Sequence, residues 1–182
     1  MDSTLFSIGH GNKSIDEFIK ELNSFDIAYL VDIRTSPYSK WNPQFNQYAL
    51  QNSLTSSGIR YVYMGDVLGG LPNDSSCYTN GRIDYTKMAS KETFALGLER
   101  LVVANQKKIK LAIMCSESEP EMCHRSKLIG QELIKRNITL HHIVDAHRII
   151  SQIDVINLLT KGNGIVNLFG EEEVLMSRKT YL

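Results

Sequence analysis

The sequence predicts a single α/β domain: a mainly parallel five-stranded sheet with helices on both faces, a Rossmann-like three-layer arrangement. Three observations predict it. Short apolar runs alternate with stretches of helical periodicity along most of the chain, which is the pattern of βαβ units. The length of 182 residues suits one domain and falls short of the roughly 250 of a (β/α)8 barrel. No internal repeat and no low-complexity segment interrupts the pattern. Residues 1–161 are assigned to this domain, and 162–182 to a C-terminal appendage or tail.

Leu5 to Ile8 is the first strand. Ser14 starts a helix, and Glu17 three residues on completes a capping-box pattern. Ile15, Phe18, Ile19 and Leu22 give that helix its apolar face. Ile27 to Ile33 reads as a buried second strand. Asn42-Pro43 opens the next helix, carrying Phe45, Tyr48, Leu50 and Leu54, and Gly58 ends it. Ile59 to Tyr63 alternates as a third strand. Met64 to Ile83 is rich in Gly, Pro, Asn and Asp and reads as a long loop, a length usually tied to function. A helix from about Asp84 to Asn105 and a fourth strand at Ile109 to Met114 follow. Cys123 opens a helix reaching about Arg136, with Leu128, Ile129, Leu133 and Ile134 inward. Leu140 to Val144 is the fifth strand, and Gln152 to Lys161 the last helix. Gly162-Asn163-Gly164 breaks the pattern. Residues 165–182 fit a hairpin, a short helix or a partner-binding arm.

Lysines and arginines number 20, as do aspartates and glutamates. Zero net charge removes the general electrostatic case for nucleic-acid or membrane-surface binding and leaves only a local patch. No apolar run approaches the ~20 residues of a membrane span, and the first residues lack a signal-peptide pattern. The expectation is a soluble cytoplasmic protein with no membrane partner. Three cysteines without secretory context argue against a disulfide scaffold.

The reactive residue types fall where the strands end, the edge at which open α/β sheets bind ligands. The first strand exits into Gly9-His10-Gly11. The second ends at Asp32 and Arg34, and the third leads to Leu68-Gly69-Gly70. The fourth leads to Cys115 and Glu117, and then to Cys123-His124-Arg125 at a helix start. The fifth exits into His141, His142 and Asp145. The ordered set Ser7-Ile8-Gly9-His10, Val31-Asp32-Ile33-Arg34 with Pro37 and Ser39, Leu68-Gly69-Gly70, Cys115-Ser116-Glu117, Cys123-His124-Arg125 and His142-Ile143 resembles the domain-of-unknown-function family 488, over about residues 4 to 145. That resemblance implies an α/β fold and two cysteines of importance, without a settled activity.

Each candidate has a functional and a plain reading. A helix dipole and Arg125 favour a thiolate at Cys123, whereas Cys115 also suits a buried strand end. Arg34, His124 and Arg125 suit an anion; a cap and salt bridges to Glu117, Glu119 or Glu121 explain the last two equally well. Asp32 and Arg34 share a face of the strand, where Asp32 reads first as half of a buried ion pair. His10 between glycines allows close approach to a ligand, as Gly69 and Gly70 do, and a tight turn explains the same residues. Trp41, among Tyr38, Phe45 and Tyr48, could stack a base, with Phe45 and Tyr48 assigned to helix packing. Metal is disfavoured, because the spacing of Cys115, Cys123, His124, His10 and His142 matches no structural zinc pattern and adjacent Cys-His rarely aims both side chains at one ion. No cofactor is indicated.

Three functions follow. The first is an enzyme on a phosphorylated or nucleotide-like anion, with Cys115, Glu117, Cys123 and His10 as the catalytic candidates. Arg34, His124, Arg125, Asp32, Gly69, Gly70, Trp41 and His142 would then hold the ligand. The second is a non-catalytic nucleotide or nucleic-acid binding module, which the neutral charge does not favour. The third is a thiol-redox protein using Cys115 and Cys123.

Overall fold

In the computed structural model, which describes residues 3–165 and 174–181, six strands form the main sheet. They are β1 (Leu5–Gly9), β2 (Tyr29–Asp32), β3 (Arg60–Tyr63), β6 (Leu111–Cys115), β7 (His141–Asp145) and β8 (Arg148–Ser151). The order is β3-β2-β6-β1-β7-β8, parallel except for β8. The centre strand β6, LAIMC, is buried along its whole length, as a strand covered on both faces must be.

Alternate residues feed two cores. Phe6, Ile8, Leu30, Ala112 and Met114 meet Phe18 and Leu22 of α1 (Ile15–Ser24) and Leu50 and Leu54 of α2 (Gln47–Ser56). Leu5, Val31, Ile33, Leu111 and Ile113 face the opposite layer. There they meet Leu98 and Leu101 of α5 (Glu92–Gln106) and the helix carrying Leu128, Ile129 and Leu133. Each of these side chains except Ala112 contributes about 1.5–3 kcal/mol on burial. This is the expected Rossmann-like three-layer α/β fold, with a sixth strand added.

The differences have local causes. The sixth strand, β8, is the return arm of a tight hairpin whose Asp145 pairs with Arg148. Ser151 then caps α7 (Gln152–Leu159) through a reciprocal box with Asp154. The long loop holds a short helix, α3 (Gly65–Leu68), and a hairpin, β4 (Tyr78–Thr79) and β5 (Arg82–Asp84). Asn80 and Gly81 turn that hairpin with positive φ at both positions, a type I′ signature. The helix after Asp84 breaks at Ser90-Lys91 into α4 (Tyr85–Ala89) and α5. Asn42-Pro43 opens only a 3-10 turn over Pro43–Phe45. Tyr48 stands 79% exposed, against its assignment to helix packing, while Phe45 alone turns inward. In the tail, β9 (Met176–Thr180) adds to β5 as the edge of a three-stranded antiparallel sheet. The expected tail conformations also cover 166–173, which lie outside the described residues.

The chain runs from β1 toward β2 and β3, but from β6 toward β7 on the opposite side. The β1/β6 boundary is therefore the switch point where open α/β sheets form their ligand crevice. No helix among the described residues is long and apolar enough to cross a membrane.

Candidate functional site

At that boundary the loops after β1 and β6 are joined. His10 N–H donates to Cys115 O (3.0 Å) and Gly11 N–H to Ser116 O (3.1 Å). A Cβ on Gly9 would lie 2.0 Å from Glu117 O, so only glycine lets the loops close to this distance. The buried Arg125 guanidinium fixes the same loop, donating to the carbonyls of Glu117 and Ser118. Expected to hold an anion, Arg125 is 1% exposed and is spent on backbone.

Arg34 is likewise committed. Its Nε and Nη2 donate to Asp32 Oδ1 (2.9 Å) and Oδ2 (2.6 Å), and Nη2 also donates to Phe45 O (2.8 Å). Tyr61 Oη–H completes the carboxylate at 2.8 Å. Asp32 is thus a fully buried ion-pair partner, and only Nη1 of Arg34 stands clear of it, 3.5 Å from His10 Nε2. His10 Nδ1–H donates to Gly11 O (2.9 Å), and its ring stacks on Phe45 at 4.4 Å. Burial, with Arg34 nearby, lowers its pKa to about 4, so His10 is neutral near pH 7.

Cys115, Cys123 and His124 form the second cluster. All three are buried, and their donor atoms lie within 4.8 Å of one another. Cys115 ends β6. Cys123 precedes a π turn, Arg125–Gly130, that leads into α6 (Gln131–Ile134); such turns often mark functional sites. His124 Nε2 lies 3.1 Å from Leu68 O. A carbonyl only accepts, so Nε2 carries the proton and Nδ1 presents its lone pair to the thiols. Nδ1 lies 3.9 Å from Cys115 Sγ and 3.6 Å from Cys123 Sγ. Arg125 N–H donates to Cys123 Sγ at 3.4 Å. Burial opposes ionisation of Cys123, but the Cys115 thiol, the Arg125 charge and that amide lower its pKa to about 7. Hydrogen bonding to Cys123 and burial raise Cys115. Gly70 makes the cluster possible, because a Cβ there would lie 2.5 Å from His124 Nδ1. Gly69 packs on Gly65 O and Thr35.

A cleft of about 250 Å3 opens over these thiols. That is below the 300–1,000 Å3 of drug-sized ligand sites and fits a small molecule better than a dinucleotide. Arg34, Glu117, Gly70, Cys115, Cys123 and His124 line it. So do Arg178, Lys179 and Tyr181 from the β9 segment, and Tyr85, none of which the sequence singled out. The Arg-Lys pair on an apolar-flanked tail segment was the available signal.

Asp32, Arg125, His10, Gly69, Trp41 and His142 do not line the cleft. Trp41 is 80% exposed, with Lys40 Nζ 4.7 Å from its ring centroid. His142, expected at a strand end, lies near the start of β7 beside Ser7. Its Nδ1 accepts from Ser7 Oγ (2.6 Å), and its Nε2 donates to Gln152 Oε1 (2.7 Å). Gln152 Nε2 in turn donates to Ser126 O inside the π turn (3.1 Å). The trio has the order of a nucleophile relay, yet it is sealed in the core and braces β1, β7 and α7.

A family model described as domain of unknown function DUF488 matches residues 14–131, well over half of the chain. The chain belongs to the DUF488 family. The matched segment of this DUF488 protein holds the Asp32-Arg34, Gly69-Gly70, Cys115 and Cys123-His124-Arg125 positions, while Ser7 to His10 and His142-Ile143 lie outside it. No curated protein and no solved structure matches the chain.

Proposed function

We propose that this DUF488 protein is an enzyme acting on a small phosphorylated or nucleotide-like anion held in the cleft over Cys115, Cys123 and His124. The observation that carries the reading is the cleft's lining. Three cationic side chains (Arg34, Arg178 and Lys179) and one carboxylate, Glu117, surround a floor of two thiols and an imidazole. Cations around a partly desolvated crevice select an anion. Arg178, Lys179 and the Nη1 of Arg34, which lies clear of Asp32 and against His10, hold its charge. Glu117 moves the proton, and the sulfur–imidazole cluster supplies the reactive centre. His10, neutral and outside the cleft, orients Arg34 rather than touching substrate.

The test is turnover of a panel of nucleotides and small phosphorylated compounds by the wild type and by Cys123→Ser and Glu117→Gln. Loss of turnover by about 100-fold or more in both, with binding retained in Glu117→Gln, supports the reading. Wild-type turnover in both variants overturns it.

The thiols favour a second reading, a reversible Cys115–Cys123 disulfide. Their sulfurs lie within 4.8 Å of each other, and the bond would bring them to ~2.05 Å. Intact-mass measurement after mild oxidation decides it: a mass loss of two hydrogen atoms, their electrons taken by the oxidant, that Cys115→Ser abolishes supports the disulfide, and no such loss rejects it.

A further inference from the structure

We propose that Cys115 Sγ, Cys123 Sγ and His124 Nδ1 bind one zinc ion, whose fourth coordination position opens into the cleft. The inference rests on the reading above that the cluster is the reactive floor of that cleft, and it assigns the cluster its cofactor.

Distance is the first argument. Zinc bonds sulfur at about 2.3 Å and imidazole nitrogen at about 2.0–2.1 Å in a tetrahedron. Those legs set an S–N edge of about 3.6 Å and an S–S edge of about 3.8 Å. The two Sγ–Nδ1 separations are 3.9 and 3.6 Å, and all three donors lie within 4.8 Å. Both Sγ–Nδ1 spacings also suit thiol–imidazole hydrogen bonds, and they match the S–N edge of a zinc tetrahedron to within a few tenths of an ångström.

The second argument is orientation. A zinc-binding imidazole usually gives its other N–H to a carbonyl or carboxylate, which fixes the tautomer and the ring plane. His124 does this through Nε2–H to Leu68 O, and the missing Cβ of Gly70 leaves room for the ring at that angle. The Arg125 amide donates to Cys123 Sγ, an outer contact suited to a thiolate ligand. The objection that adjacent Cys and His rarely reach one ion is met by the chain path. Cys123 is extended at φ −117°, ψ 151°, His124 is helical at φ −62°, ψ −20°, and their donor atoms lie 3.6 Å apart.

Charge is the third. Two buried thiolates would be costly alone, and a divalent cation neutralises the pair. Two cysteines, one histidine and an open fourth position form the donor set of a catalytic rather than a structural zinc centre. Binding would release the two thiol protons to solvent, and the open position would accept an anionic oxygen of the substrate.

The experiment uses the full chain, stripped with a chelator and titrated with zinc against a chromogenic competitor, and in parallel with cobalt followed by its absorption. One ion per chain, a sulfur-to-cobalt charge-transfer band, and affinity lowered at least ~10-fold in Cys115→Ser and in His124→Gln are expected. Cys77→Ser, outside the cluster, should bind as the wild type does. Should a variant fail to fold, a native thiol count on the wild type decides instead: zinc should protect two thiols from alkylation that the stripped protein exposes. Absent stoichiometric binding, binding unchanged in both variants, or a Cys115–Cys123 disulfide in the freshly purified protein overturns the site. Zinc binding without turnover of any anion upholds the site and defeats the enzyme reading. Full turnover by zinc-free protein does the reverse.

Discussion

His124 is held from three sides, by Leu68 O, by the Cys123 thiol and by the bare Cα of Gly70. Gly70→Ala therefore tests the cluster without touching a donor atom. A methyl 2.5 Å from Nδ1 must turn the ring, so zinc affinity and turnover should fall about 10- to 100-fold while the circular dichroism spectrum stays native. A second residue-scale consequence concerns acid. Burial lowers His10 to about 4 and His142 to about 3, from an ordinary 6.5. The unfolded chain takes up these protons below about pH 6.5, whereas the folded chain does so only near pH 4 and 3. Stability is thus complete above pH 6.5 and falls on acidification, by on the order of 1 kcal/mol per pH unit for each histidine. Urea midpoints between pH 7 and 5 should fall accordingly, and less steeply in His142→Ala. That variant also loses about 3 kcal/mol or more at pH 7, from the cavity and the unpaired Ser7 and Gln152 groups. Residue types marked the right neighbourhood in the sequence, but not the direction in which a guanidinium turns. Arg125 and Arg34 look alike on paper, yet one grips two carbonyls and the other a buried carboxylate. His142 lies inside the predicted fifth strand as well as the observed one, and its side chain turns into the core, where Ser7 and Gln152 satisfy both ring nitrogens.

At the scale of elements, β9 is the least expected contributor. Ser177 Oγ accepts from Ile83 N–H at 2.9 Å and donates to Lys179 O at 2.8 Å, setting the register that carries Arg178 and Lys179 to the cleft. Ser177→Ala should cost about 1–2 kcal/mol by urea denaturation and weaken anion binding, with zinc binding unchanged. Equal anion affinity in the variant would show that β9 does not shape the cleft. The parallel strands and their helices were legible because each buries a face with its own period. The β4–β5 hairpin was legible in principle from Asn80-Gly81, but strands of two and three residues carry no alternation to read. β9 was not legible, since its partner lies about a hundred residues earlier and its sequence, MSRKT, is polar.

For the molecule as a whole, the sheet order places the switch point between β1 and β6. The Gly9-to-Glu117 contact and the Arg125 clamp hold that crevice in a fixed shape. A rigid frame of this kind preorganises the cluster and leaves the cations of β9 and Arg34 facing the opening. The central claim is that this crevice takes a small anion over the sulfur–imidazole floor. Calorimetric titration with a panel of phosphorylated small molecules, on the wild type and on Arg178→Ala/Lys179→Ala at two salt concentrations, tests it most directly. Saturable one-to-one binding by a member of the panel is expected, weakened about 10-fold or more by the double substitution and by added salt. Failure of every member to bind, or binding indifferent to both changes, would contradict it.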